Sequence, residues 1–297
     1  MKYFIHYPIL FDCFLRCDYC FHKQYYQNYE GTPVKYNVGH WNRFRDKHLT
    51  DVEEIVVNLY GGETFIDTNT NIVTHFIKCT ENETVDLLTN GLADKENYKK
   101  IIPFKDRIFR LGFTYHRKMI HNVPSLVKRF EDNINFLQDA GLNVYVKELL
   151  FADYRFEIVE AKKKWKEKGI EFKIQDFRED ANKNVYRPLD IIPLDAIIVD
   201  REYQHIGKFC ECKHGYKNLI IRNGWDEKSH GDILGCWYDP KVVGNIITNT
   251  FEPDYEVVRN RNTGGIEVNI LKNDNQERYR GTYEGDKVPP EDVKFLR

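Results

Sequence analysis

From residue 2 to residue 177 the chain alternates six times between a short run rich in β-branched and aromatic residues and a longer stretch with helical spacing. That alternation decides the fold class. KYFIHYPILF (2–11), EIVVNLY (54–60), TVDLLT (84–89), RIFRLGFTY (107–115), NVYVKELL (143–150) and EFKIQDF (171–177) read as strands. Helices are expected at roughly 38–48, 70–79, 93–102, 125–140 and 155–168. In SLVKRFEDNINFLQDAG, Leu126, Phe130, Ile134 and Leu137 recur at helical spacing, Ser125 offers a cap and Gly141 an end. Parallel strands need crossover connections, so the pattern implies an α/β fold with a parallel sheet and helices outside it. An incomplete (βα)6 TIM-like barrel over residues 1–187 fits the count.

The pattern changes after Pro188. NLIIRNG and DILGCWY, joined by the polar WDEKSHG, read as strands of a small antiparallel β unit over 188–250, and GGIEVNILKN offers another strand in a C-terminal extension, 251–297. From Asn273 the sequence is charged with little to bury, which predicts a surface-lying or mobile tail.

A chain of 297 residues can bury a sizeable core without staples. Lys+Arg of 44 against Asp+Glu of 46 gives a net charge of -2, which excludes the basic footprint of a duplex nucleic-acid binder but allows a nucleotide-sized substrate. The seven cysteines form two groups and a loner rather than a disulfide framework. MKYFIHYPILF has no basic n-region or small-residue cleavage site and is too short to span a bilayer, so a soluble protein of the reducing cytoplasm is expected.

CFLRCDYCF (13–21) places Cys13, Cys17 and Cys20 directly after the first strand, at the mouth where βα folds carry their active sites. Three soft ligands leave one coordination position open. A zinc site would want a fourth ligand, for which His22 is nearest, whereas the spacing of three and then two residues favours a 4Fe-4S cluster with one open iron.

With aromatic Tyr19 and Phe21, this loop resembles the signature of the radical S-adenosylmethionine (SAM) enzymes. The resemblance implies that SAM chelates the open iron and is cleaved by a cluster electron to methionine and a 5′-deoxyadenosyl radical, which abstracts a substrate hydrogen. It further implies a flavodoxin- or ferredoxin-type electron donor. LYGGET (59–64) resembles the family's glycine-glycine-glutamate motif, so Gly61, Gly62 and Glu63 are expected to seat the SAM ammonium; Thr64 stands where the family usually has proline. LLTNG (87–91) and FTYH (113–116) resemble positions lining SAM and the substrate cavity, which makes Tyr19, Thr89, Asn90 and Thr114 cofactor-binding candidates and Tyr115 and His116 catalytic ones. Asn58, Asp86, Arg110, Lys147, Glu148 and Asp176 interrupt apolar strands, and most such residues pair structurally. Glu148 and Asp176, nearest the strand ends, are the better cavity candidates, and Glu148 joins the catalytic set.

The second cysteine group, within 209–247, resembles the twitch form of the SPASM extension, with Cys212, Gly215, a hairpin, Cys236 and Gly244-Asn245-Ile246 in order. The resemblance implies an auxiliary 4Fe-4S cluster on Cys210, Cys212 and Cys236, its fourth position open or filled by His214, His230 or Asp239. The one-residue spacing of Cys210 and Cys212 departs from the usual wider pair, and zinc or plain buried thiols stay as alternatives. Cys79, a helix length from the mouth, reads as a core thiol.

The expected function is therefore that of a radical SAM enzyme. The family resemblance points to modification of a ribosomally made peptide. The start of strand one almost at Met1, with no peptide-recognition domain ahead of it, points instead to a small substrate, a nucleotide, nucleoside or aminosugar that is dehydrogenated or rearranged. A noncatalytic iron-sulfur or zinc binding protein is the third reading, against which the intact Gly61-Gly62-Glu63 motif argues.

Overall fold

A computed structural model describes residues 2–10, 12–20, 38–151, 154–176, 217–222, 231–236, 239–252, 255–259, 266–270 and 279–281. Strands β1 (Lys2–Leu10), β2 (Glu54–Gly61), β3 (Glu83–Thr89), β4 (Ile108–Tyr115), β5 (Val144–Leu150) and β6 (Glu171–Asp176) pair in parallel in chain order. Each lies within one residue of its expected bounds.

Helices α1 (Val38–His48), α2 (Asp67–Cys79), α3 (Lys95–Lys99), α4 (Arg117–Ile120), α5 (Pro124–Asp139) and α6 (Arg155–Glu167) fall between the strands, with a 3-10 segment at Ile102–Arg107. The helix expected over 93–102 ends at Lys99, and the chain re-enters as a 3-10 turn with Pro103 in its first two positions, where a missing N–H costs nothing. Ser125 does not cap α5; the helix starts one residue earlier on Pro124, behind Val123, and no side chain caps it. Its far end follows the expectation. Gly141, at φ +85, donates to the Gln138 carbonyl while the Leu142 N–H reaches Leu137, the paired bonds of a glycine-terminated helix. Gly169 repeats the device at the end of α6, with bonds to Lys166 and from Ile170 to Trp165.

Strand alternation gives the sheet two different faces. Ile5, Val57, Leu87, Phe113 and Val146 point to the helical layer, where Trp41, Phe44, Phe76, Phe130 and Leu137 close the core. The opposite face carries His6, Asn58, Asp86, Arg110, Tyr145 and Lys173, all buried. There Arg110 spans the Asp86 carboxylate with two bonds of 3.1 and 3.2 Å, and the Asn58 amide donates to the Asp86 carbonyl at 3.0 Å. These three strand-interrupting residues therefore pair with one another.

The C-terminal strands do not stand apart from this sheet. β7 (Lys217–Ile221) pairs in parallel with the outer edge of β1, and β8 (Asp232–Cys236), β9 (Asp239–Asn245) and β10 (Thr250–Phe251) continue antiparallel to a total of ten strands. The expected β7–β8 hairpin is present; its attachment to β1, and strands β9 and β10, were not expected. A second sheet joins β11 (Tyr255–Arg259), β12 (Ile266–Ile270) and β13 (Tyr279–Gly281), so part of the predicted tail is strand. The expected boundary at residue 188 lies outside the described residues. Among the described residues no helix is long and apolar enough to cross a membrane.

The turn after β3 is locked from the helical side. Gly91 sits at φ +76, a Cβ there would lie 2.4 Å from the Phe130 ring, and the Asn133 amide of α5 binds the Gly91 and Ala93 carbonyls at 2.9 and 3.0 Å. Gly91→Ala is therefore expected to cost about 2–4 kcal/mol through backbone strain and overpacking, read as a lower denaturant midpoint at unchanged slope.

Candidate functional site

The thiol loop leaves the C-terminal end of β1. Cys17 is buried, and Cys13 and Cys20 are half-buried. The Cys20 N–H donates to the Cys17 carbonyl at 3.2 Å and Arg16 donates to the Cys13 carbonyl at 2.7 Å, so the backbone of the loop is folded. Burial pushes the Cys13 thiol up to about 11, a backbone bond at Leu15 pulls it back, and the charges of Glu63, Cys20 and Cys17 raise it again. Cys17 is raised by burial as well, against a bond from Tyr19. Both shifts follow from burial, which disfavours the thiolate. Among the described residues no three His, Cys, Asp or Glu side chains are grouped as a site for a single metal ion.

The root of this loop is fastened to the end of β2. The Asp12 carbonyl accepts the Glu63 N–H at 2.8 Å and the Asn69 amide at 2.9 Å; Asn69 also donates to the Glu63 carbonyl at 2.6 Å, and the Thr68 hydroxyl donates to the Asp12 carboxylate at 2.9 Å. Gly61 has φ +139, a conformation that favours glycine. Glu63 is buried, and its carboxylate ties three segments together. Oε1 accepts the Thr89 hydroxyl at 2.6 Å and the Phe65 N–H at 2.9 Å, and Oε2 accepts the Asn90 N–H at 2.7 Å. The Thr64 N–H adds a fourth donor, so the carboxylate is held from four sides. Burial raises the Glu63 carboxyl above the usual range despite those bonds.

Thr64, in the position that departs from the family pattern, donates its hydroxyl to the Leu88 carbonyl and ties β2 to β3. Thr89 is committed in the same way, giving its proton to Glu63 and accepting the Gly91 N–H at 3.0 Å. Asn90 differs from both. Its Oδ1 accepts the Leu92 N–H at 3.0 Å, whereas its Nδ2 is buried without a hydrogen-bond partner, a donor left for something else.

His116, just after β4, reaches the thiol loop. Its Nδ1 lies 3.1 Å from the Tyr19 hydroxyl and 3.8 Å from Cys17 Sγ, with the Tyr19 ring stacked on the imidazole. Burial first, and then the Lys147 charge, push His116 down to about 4, so the ring is neutral at neutral pH. Phe151 packs edge-on to Tyr19, and the Lys118 ammonium lies 4.3 Å from the Phe151 ring centre. Tyr115 points the other way, against Phe130, with its hydroxyl 3.3 Å from His121. Thr114 is half-buried on the face turned from the helices, beside Lys147 in register.

Solved structures share this arrangement of elements. His6-tagged anSMEcpe with bound AdoMet aligns over 82% of this chain and 74% of its own, at 15% identity and TM-score 0.54. Native anSMEcpe with bound AdoMet and Cp18Cys peptide aligns over 82% and 77%, at 15% identity and TM-score 0.52. The chain has their fold. A third match, native anSMEcpe with bound AdoMet, spans 62% of this chain and 55% of that one at TM-score 0.48 and 16% identity. No protein-family model and no curated protein matches the chain.

Glu148 is not a free cavity acid. Arg117 of α4 binds it through Nε on Oε1 and through Nη2 on Oε2, the latter at 3.0 Å, with both side chains buried. The side chain of Asp176 is outside the described residues, as are Phe21, His22, Cys210, Cys212, His214, Gly215, His230 and the side chains of Cys236 and Asp239. What is described of the second cysteine unit is its Gly-Asn-Ile turn. A Cβ on Gly244 would lie 2.3 Å from the Thr250 carbonyl, Asn245 accepts the Ile247 and Thr248 N–H groups, and the Asn245 amide donates to Asp232. Cys79 lies half-buried at the end of α2 with its sulfur 3.7 Å from the His75 ring, beside a polar neighbour rather than in the apolar core. Sequence reading missed Asp12, Asn69 and Arg117. Asp12 adjoins the first cysteine, and that adjacency was the one available signal.

Proposed function

We propose that this chain is a radical SAM enzyme with a partial-barrel core. The observation that carries the reading is the fastening of Asp12 to Glu63 and Asn69, which makes the three-thiol loop and the Gly61–Glu63 turn one unit at the open end of β1 and β2. The fold shared with AdoMet-bound structures supports it. Cys13, Cys17 and Cys20 would hold a 4Fe-4S cluster, which when bound supplies the electron for reductive cleavage of SAM. The three sequence-adjacent thiols, the negative Glu63 carboxylate and the orphaned Asn90 amide fit that cluster and its SAM.

The chain's own part is to bind. The negative Glu63 carboxylate and the Gly61-Gly62 backbone receive the SAM ammonium, and the buried Asn90 amide offers a donor to the same ligand. Tyr19, His116 and Phe151 pack together beside the buried Cys17. The substrate we propose is a peptide, the class of molecule present in one of the matched structures. Cys210, Cys212 and Cys236 would hold an auxiliary cluster, and a flavodoxin- or ferredoxin-type protein would deliver the electron.

The test is anaerobic reduction with SAM, where 5′-deoxyadenosine is expected without added substrate; SAM bound but never cleaved would overturn the reading. SAM affinity adds a second readout. A protonated Glu63 cannot pair with an ammonium, so affinity in the wild type falls as pH drops through the raised Glu63 pKa. Glu63→Gln is expected to weaken binding about 10- to 100-fold, the worth of one charge-assisted bond, and to flatten that pH profile.

A further inference from the structure

Tyr98 has no part in the reading above, although α3 sets it against the turn that carries Glu63. Its side chain is fully buried, with the ring centre 4.4 Å from that of Phe65, two residues after Glu63. The neighbouring Asn97 donates its amide to the Phe65 carbonyl at 2.8 Å, so this five-residue helix grips the turn at two adjacent positions. The Tyr98 hydroxyl lies 3.2 Å from Thr89 Oγ1.

The bonds around Thr89 decide which way the protons point. Of the four donors on the Glu63 carboxylate, the N–H groups of Thr64, Phe65 and Asn90 are backbone, and the Thr89 hydroxyl is the one that can turn away. It has a single proton. A bond of 2.6 Å to a carboxylate is charge-assisted and outweighs one of 3.2 Å to a neutral phenol, so that proton goes to Glu63. The Gly91 N–H fills one acceptor site of Thr89 Oγ1 at 3.0 Å, which leaves the other for the Tyr98 proton. Burial, and then the Glu63 charge, keep Tyr98 protonated well beyond neutral pH, and a hydrogen bond from the Ala93 backbone meets its acceptor side. A hydroxyl that accepts two bonds has its own proton polarised towards its third partner. The chain therefore runs one way, from Tyr98 through Thr89 to Glu63.

We propose that Tyr98 is a positioning residue for SAM: by holding the Thr89 hydroxyl turned to Glu63, it keeps that carboxylate set for the ligand's ammonium. The inference rests on the radical SAM reading for the ligand, and it extends the SAM seat to a helix that touches neither the thiol loop nor the glycines. Without the phenol proton, Thr89 Oγ1 keeps a buried acceptor site unfilled and holds the carboxylate less strongly.

SAM titrated calorimetrically into the anaerobically reconstituted protein tests this. Tyr98→Phe keeps the ring against Phe65 and removes only the hydroxyl; it is expected to weaken SAM binding about 3- to 10-fold, the worth of one neutral hydrogen bond. Thr89→Val cuts the chain and should weaken binding at least as much, and Tyr98→Phe added to it should cost nothing more. Thr89→Ser, which keeps the hydroxyl, should bind SAM as the wild type does. For the SAM analogue that lacks the amino group, Tyr98→Phe should leave affinity unchanged. Three results overturn the proposal: SAM affinity unmoved by Tyr98→Phe, losses that add in the double variant, or equal loss for SAM and the deaminated analogue. The last two mark a residue that only supports the fold. A wild type that binds no SAM overturns the radical SAM reading and this inference with it, whereas a wild type that binds SAM and forms 5′-deoxyadenosine beside an unaffected Tyr98→Phe overturns this inference alone.

Discussion

Replacing Cys13, Cys17 and Cys20 together with alanine is expected to remove about four irons per chain and to abolish 5′-deoxyadenosine formation. The loop offers three thiols, and the described side chains beside it are already engaged. His116 has its Nδ1 against the Tyr19 hydroxyl, and Asp12 is engaged at both its carboxylate and its carbonyl. Iron and sulfide per chain, measured after anaerobic reconstitution, give the result directly. About eight irons falling to about four assign the remainder to Cys210, Cys212 and Cys236; about four falling to none remove the auxiliary cluster from the account. Iron unchanged by the triple substitution would sink the assignment of the loop itself. Because Glu63 and Asn69 hold the Asp12 carbonyl from outside the loop, the variant should keep its thermal midpoint, and loss of iron can be read as loss of ligands rather than loss of fold.

The parts of this site that could be read from the sequence are those set by neighbours in the chain. Cys13, Cys17 and Cys20 follow β1 because a strand-forming run ends at residue 10 or 11, and β2 ends on Gly61, whose φ of +139 favours glycine. The glycines at 141 and 169 close their helices by a purely local bond pattern. What could not be read depends on residues distant in sequence. β7 pairs with β1 across more than 200 residues, and nothing in NLIIRNG says which edge it will join. Thr89 is a cofactor-binding candidate because LLTNG resembles family positions lining SAM; in the fold its hydroxyl donates to Glu63, 26 residues away, a bond no local pattern reveals.

Glu148 is the instructive case. Its place near the end of β5 made it a candidate acid, and its burial is real, but the partner that explains it is Arg117, in a four-residue helix that no periodicity reveals. The pair holds α4 down against β5, and α4 begins at the residue after His116. Glu148 therefore belongs to the support of the site rather than to its chemistry.

Arg117→Ala follows from this as the largest expected loss of stability, about 3–5 kcal/mol, because it strands a carboxylate whose side chain is 1% exposed. Burial already pushes the Glu148 carboxyl up, and the two guanidinium bonds pull it back. Without them its folded pKa rises further above the unfolded value. A carboxyl raised on folding binds its proton more tightly in the folded state, so the deficit is full above the raised pKa and shrinks as pH falls through it. Denaturant unfolding at a series of pH values reads this directly. Adding Glu148→Gln to Arg117→Ala should recover a large part of the loss, since a neutral amide costs less to bury than an unpaired charge, and Arg117→Lys, with one donor arm in place of a fork, should fall between. A loss below about 1 kcal/mol, or one independent of pH and of Glu148→Gln, would mean that the pair does not carry α4, and would leave His116 positioned by its contacts with Tyr19 and Cys17 alone.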